Sequence, residues 1–153
     1  MRHLLILTVG ICLLLTSVPA MSDQAADEAA IRKARKEMIE AVNKHDAKAM
    51  VALVAEINEN WLGDRKGRKA YEEQTAEGFK TRWKDLKYKD WEEIGIIFVT
   101  SDVAIYKATA EVIGVKDTEG KPLPPIKELE ALVYRKIDGK WMEVAYFNRP
   151  IEE

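Results

Sequence analysis

Apolar residues recur along this chain with two different periods, and the change between them falls near Leu86. From Ser22 onward Ile31, Ala34, Met38, Ala41 and Val42 return at three- and four-residue spacing, which is the period of one face of an α-helix. Asp27 and Glu28 in its early turns and Lys44 and His45 at its end suit the helix macrodipole. Asp46 predicts the N-cap of a second, shorter helix over "AKAMVALVAEI", with Ala49, Leu53, Val54 and Ile57 as its apolar stripe. Asn60, Gly63 and Gly67 then break the period, giving a short extended piece around Trp61 followed by a loop. In a third helix Tyr71, Thr75, Phe79 and Trp83 share one face, and Gly78 leaves room for another group to approach.

After Leu86 the runs "YKDWEEIGIIFV", "VAIYKATAEVIGV", "IKELEALVYRKI" and "KWMEVAYFN" are rich in β-branched and aromatic residues. Turn signals separate them: Thr100-Ser101-Asp102, the loop "KDTEGKPLPP", and Asp138-Gly139, a pair suited to the positive φ of a type I′ hairpin. Three helices followed by an antiparallel meander make an α+β protein.

The N-terminus changes the picture of where this fold operates. Met1-Arg2-His3, the apolar run "LLILTVGICLLL" and Val18-Pro19-Ala20 have the order of a secretory signal peptide, with cleavage expected after Ala20. Residues 1–20 are therefore read as a leader and 21–153 as one domain, exported to the periplasm or secreted. An uncleaved anchor is the alternative, for which the apolar run is short. Cys12 lies inside the leader, so the exported chain would have no disulfide, no thiolate nucleophile and no Cys-ligated metal. The 24 basic residues, Arg2 among them, stand against 26 acidic ones, and no long basic run points to nucleic acid or an anionic membrane. There is no His-Glu ligand cluster, no glycine-rich phosphate loop and no histidine beyond His3 and His45, so neither metal nor cofactor is expected.

The succession of helix, "HD" corner, second helix, short strand and third helix, then "SDVAIYKATAEV", "ALVYRKIDGKW" and a last strand, resembles the nuclear transport factor 2-like superfamily. Within it the chain is similar to the SnoaL-like proteins and to the association domain of calcium/calmodulin-dependent kinase. The resemblance covers nearly all of Asp23–Pro150. It implies a cone, also called cystatin-like, in which three N-terminal helices pack into a strongly curved antiparallel sheet around an apolar pocket. Dimerisation through the sheet is a further implication. Many relatives carry two histidines in the last strand where this sequence has Ala145 and Phe147, so a function resting on those imidazoles does not carry over. Members that act as isomerases or cyclases use a carboxylate base with acidic hydrogen-bond donors in an apolar pocket.

Whether a carboxylate points inward depends on register. With Asp138-Gly139 as the turn, one face of the last hairpin holds Lys136/Trp141, Tyr134/Glu143, Leu132/Ala145 and Glu130/Phe147. The other holds Arg135/Met142, Val133/Val144, Ala131/Tyr146 and Leu129/Asn148, and being the more apolar it is expected to face the helices. A pocket lined by Tyr106, Arg135, Tyr146 and Asn148, with Tyr71 and Phe79 from the third helix and Trp61 beside the mouth, then follows. Such a pocket would bind a small apolar or aromatic molecule and would contain no general base. Trp141 and Phe147 would cover the outer sheet or a homodimer contact. In the opposite register Tyr134 and Glu143 turn inward as a facing pair, the arrangement of a small cofactor-independent isomerase, cyclase or hydratase. His45 and Asp46 read as a dipole partner and a cap rather than as a base. Two functions are thus open, a pocket-bearing binding or dimerising module and a Glu-Tyr enzyme, and burial of Glu143 discriminates between them.

Overall fold

The computed structural model describes residues 19–56 and 67–151. The leader through residue 18, Trp61 and the extended piece around it lie outside the described residues. Helix α1 spans Pro19–Asn43, α2 spans Ala47–Ala52 and α3 spans Arg68–Lys80. Strands β1 (Lys87–Phe98), β2 (Val103–Ile113), β3 (Ile126–Ile137) and β4 (Lys140–Pro150) form one antiparallel sheet in chain order.

The sequence periods account for these elements. All five stripe residues of α1 are buried, together with Arg35 on the same face. The Asp46 side chain caps α2 by accepting the Ala49 N–H at 2.9 Å. That helix stops at Ala52, earlier than its apolar residues suggest, because Leu53–Ala55 is recruited by the sheet edge. Val54 bridges Glu143 in parallel, with Ala55 N–H donating to Glu143 O at 2.9 Å and Glu143 N–H to Leu53 O at 3.1 Å. Its buried residues are accordingly Ala47, Met50 and Val51 rather than Ala49. In α3 the buried face is Tyr71, Thr75 and Phe79. Trp83 lies beyond the helix in a turn and lays its ring on Gly78, where an added Cβ would come within 2.4 Å of it.

The β3–β4 turn has Asp138 at φ 49° and Gly139 at φ 77°, as a type I′ hairpin requires. Two irregularities in the β1–β2 pairing and one in the β3–β4 pairing bend the strands of a strongly curled sheet. The β4 irregularity falls at Val144. Tyr134 pairs Glu143, but Val133 pairs Ala145, so Val144 is an extra residue and every later side chain of β4 changes face. At one end of the curl α1 closes directly on the sheet through Ile31 and Ala34 against Tyr106, Leu132, Tyr134 and Trp141. Toward the other end the three helices gather a second cluster around Met38, Met50, Val51, Tyr71 and Phe79.

Gly114, just past β2, holds φ +76°, and a Cβ there would lie 1.9 Å from the Asp85 carbonyl oxygen. Gly114→Ala is expected to lower stability by about 2–4 kcal/mol, combining left-handed strain with a backbone collision. Urea unfolding of the variant checks this, and an unchanged midpoint would refute the close approach.

Candidate functional site

Between the helical cluster and the concave sheet face lies a cavity of about 470 Å³. α1 contributes Arg35, Met38, Ile39 and Val42, and α2 contributes Met50. Tyr71, Gln74, Thr75 and Phe79 come from α3, with Trp83 and Leu86 beyond it. The sheet supplies Tyr88, Val112, Glu128, Glu143, Tyr146 and Asn148, with Val115 just past β2. The wall is therefore mainly aliphatic and aromatic, with carboxylates and hydroxyls on the sheet side.

The hairpin face expected to be inner is the outer one at its turn end. Arg135 is exposed, its side chain half accessible and 3.9 Å from Asp102, and Tyr134 and Glu143 are buried at 1% exposure each. Trp141 also points inward, donating its indole N–H to Asp27 at 2.9 Å and meeting Phe98 edge-on. Counting apolar residues misjudged the face because Glu130 has a buried partner: Arg35 from α1 forms an ion pair with it, at 3% and 0% exposure. Tyr146 and Asn148 nevertheless face the cavity, since the extra residue at Val144 carries them to the same side as Glu143. Phe147 remains outside, 55% exposed. Tyr71 and Phe79 are on the wall, whereas Tyr106 is packed into the closed end and is not among the lining residues. His45 stands in the α1–α2 corner with Nε2 3.1 Å from Leu86 O and its ring 5.0 Å from that of Phe79.

Two polar constellations result. In the first, the Tyr146 hydroxyl donates to Glu130 Oε1 at 2.7 Å, Arg35 pairs with the other carboxylate oxygen, and the Tyr88 and Tyr146 hydroxyls are hydrogen-bonded to each other. The Arg35 guanidinium also lies over the Tyr88 ring at 5.6 Å. Burial and the nearby Glu130 carboxylate push the Tyr88 hydroxyl up to about 12, and burial likewise raises Tyr146, so both phenols stay protonated. In the second, Glu143 reaches the cavity from β4, and its Oε1 has no hydrogen-bond partner among the described residues. Burial pushes its carboxyl up to about 7, with Arg35 pulling it down and Glu130 pushing it up. Tyr134, opposite Glu143 across the hairpin, is raised by burial, and its hydroxyl too has no partner among the described residues.

A carboxyl poised near neutrality in an apolar cavity can take a proton from carbon or oxygen, and nearby phenols can donate to developing negative charge. Arg35, Tyr88, Glu128 and Glu130 were not anticipated by the residue pattern. A signal for one of them existed: Arg35 is a cation inside the Ile31–Met38 stripe, and a cation there needs a buried acid.

No protein-family model matches this chain, and no curated protein does. Solved structures do match. A domain of unknown function with a cystatin-like fold from Nostoc punctiforme is 25% identical, with a TM-score of 0.63 over 84% of this chain and 79% of that one. A ketosteroid isomerase-like protein from Erwinia carotovora atroseptica is 19% identical with a TM-score of 0.60, covering 83% and 98%. The hexachlorocyclohexane dehydrochlorinase LinA-type3 from Novosphingobium barchaimii is 19% identical with a TM-score of 0.69, covering 86% and 90%. The chain has the cystatin-like fold of the nuclear transport factor 2-like proteins.

Proposed function

We propose that this protein is a cofactor-independent enzyme of the isomerase or dehydratase kind, in which Glu143 removes a proton from a small, largely apolar substrate. The observation that carries this reading is the position of Glu143: buried, lining the cavity, one oxygen without a partner, and pushed to about 7. At that value a carboxylate is a stronger base than an ordinary glutamate and is still substantially ionised near neutral pH. Tyr88 and Tyr146 stand protonated on the same wall, and Glu130, paired with Arg35, holds Tyr146 in place by accepting the hydrogen bond of its hydroxyl. Resemblance to a ketosteroid isomerase-like protein and to a dehydrochlorinase supports proton abstraction without naming a substrate.

Solvent-deuterium exchange tests this proposal. Enolisable ketones and β-hydroxy ketones of a size to fill the cavity are incubated in D₂O and followed by NMR. Exchange or loss of water is expected to be faster with the protein and to fall by about 10²–10⁴-fold in Glu143→Gln. Ligands that bind without any accelerated exchange would remove the enzyme. The binding reading, which the aliphatic and aromatic wall favours on its own, would then remain.

On the same proposal the protein is exported and works as a homodimer. The convex sheet face carries the paired row Ile97, Ile105, Val133 and Ala145, flanked by the exposed Val99 and Phe147, a surface suited to a second copy. A solution mass of one chain would remove the homodimer. Export after Ala20 would be removed by a mature N-terminus other than Met21.

A further inference from the structure

The ionisable groups on the cavity wall, phenols aside, are Arg35, Glu128 and Glu143. Arg35 brings no net positive charge, because Glu130 pairs with it from behind. Glu128 is different: its Oε2 accepts from Asn148 Nδ2 at 2.8 Å and lies 3.3 Å from the oxygen of Tyr146, whose proton goes to Glu130, so both neighbours are neutral. Among the described residues it has no cationic partner, and the wall has neither lysine nor histidine. Glu143, 1% exposed with Oε1 unpartnered, adds a second carboxyl to the same cavity. A carboxylate or phosphate entering this space would be repelled, whereas an ammonium group would gain a charge-assisted hydrogen bond. Tyr88, Trp83 and Phe79 add aromatic surface suited to the apolar part of a ligand.

We propose that the cavity takes an apolar molecule bearing an amine, with the ammonium held by Glu128 and the apolar body against Met38, Val42 and Phe79. This rests on the cavity being the ligand site proposed above, with Glu143 as its base. The two carboxyls do not compete for one ammonium. Glu128 lies six positions along β3 from Tyr134, the partner of Glu143, and its carboxylate is held by Asn148 beside Tyr146, whereas Glu143 stands opposite Tyr134. One end of the cavity therefore selects the ligand by charge while the other performs the proton transfer.

Three matched probes test the inference on the intact protein: 2-naphthylmethylamine, 2-naphthylmethanol and 2-naphthoate, titrated by calorimetry. The amine is expected to bind about tenfold or more tighter than the alcohol, as a hydrogen bond to a charged group allows, and the naphthoate more weakly than both. Glu128→Gln should bring the amine-to-alcohol ratio to about one, and Glu143→Gln should keep a clear amine preference. Equal affinity of amine and alcohol, a preference that survives Glu128→Gln, or binding by none of the three overturns the proposal. Deuterium exchange reports on Glu143 separately. An amine preference without exchange leaves this inference standing and removes the enzyme, and exchange of neutral substrates without an amine preference does the reverse.

Discussion

Arg35→Ala is expected to destabilise the fold by about 3–5 kcal/mol, a large share of the roughly 5–15 kcal/mol that holds a domain of this size together. The substitution leaves Glu130, which has no exposed surface, as an uncompensated charge between α1 and the sheet. Burial alone would lower the Arg35 pKa, but the Glu130 carboxylate together with Tyr134, Tyr88 and Glu143 more than offsets it, so the guanidinium stays charged. Glu130→Ala should be similarly severe for a different reason: it strands Arg35 and removes the acceptor of the Tyr146 hydroxyl. Changing both together is predicted to recover much of the loss, because well-packed apolar residues in place of a buried pair are often neutral or stabilising. Urea unfolding of Arg35→Met, Glu130→Leu and the double variant measures this as a cycle. Additive effects of the two single changes would mean that the pair does not act as a unit.

That same pair explains where the sequence could be read and where it could not. The periods of α1, α3 and the four strands are strong because each element has one buried face, so element type and order follow from spacing alone. The Asp138-Gly139 turn fixed the pairing near the hairpin end, and Trp141, Met142 and Glu143 sit opposite the partners that the turn dictates. Two things were hidden. The inner face of β3 carries Glu128 and Glu130 and looks like a solvent face until Arg35, 95 residues away, is brought against it. The extra residue at Val144 has no signal of its own in a run of β-formers, and it alone puts Tyr146 on the same side as Glu143. Compensating errors therefore placed Tyr146 and Asn148 at the cavity from a wrong face assignment, while Arg135, without a bulge to move it, was placed wrongly.

Glu143→Gln is expected to make the protein more stable than wild type above about pH 7 and equally stable near pH 4, with the difference opening between. The carboxyl has an ordinary value of 4.5 and is pushed up to about 7 by burial. Between those values the unfolded chain has lost the proton and the folded chain still holds it. The unfolded state then binds fewer protons, so stability falls as pH rises through this window and levels off once Glu143 is ionised in both states. With about 1.4 kcal/mol for each pH unit, the fall is about 3 kcal/mol. Asp27 and Asp85, both lowered by their lysine partners Lys136 and Lys116, tilt the curve the other way in acid. Subtracting the variant's profile from that of wild type cancels them and isolates Glu143. Catalysis by Glu143 requires the form that folding disfavours: activity should rise through about pH 7 to a plateau as stability declines to its own. The carboxyl would thus be kept at a stability cost that its chemistry explains, the trade-off expected of a working base. Wild-type and Glu143→Gln stability profiles that run parallel from about pH 4 to 8 would show an ordinary carboxyl at this position and remove the basis for assigning it proton transfer.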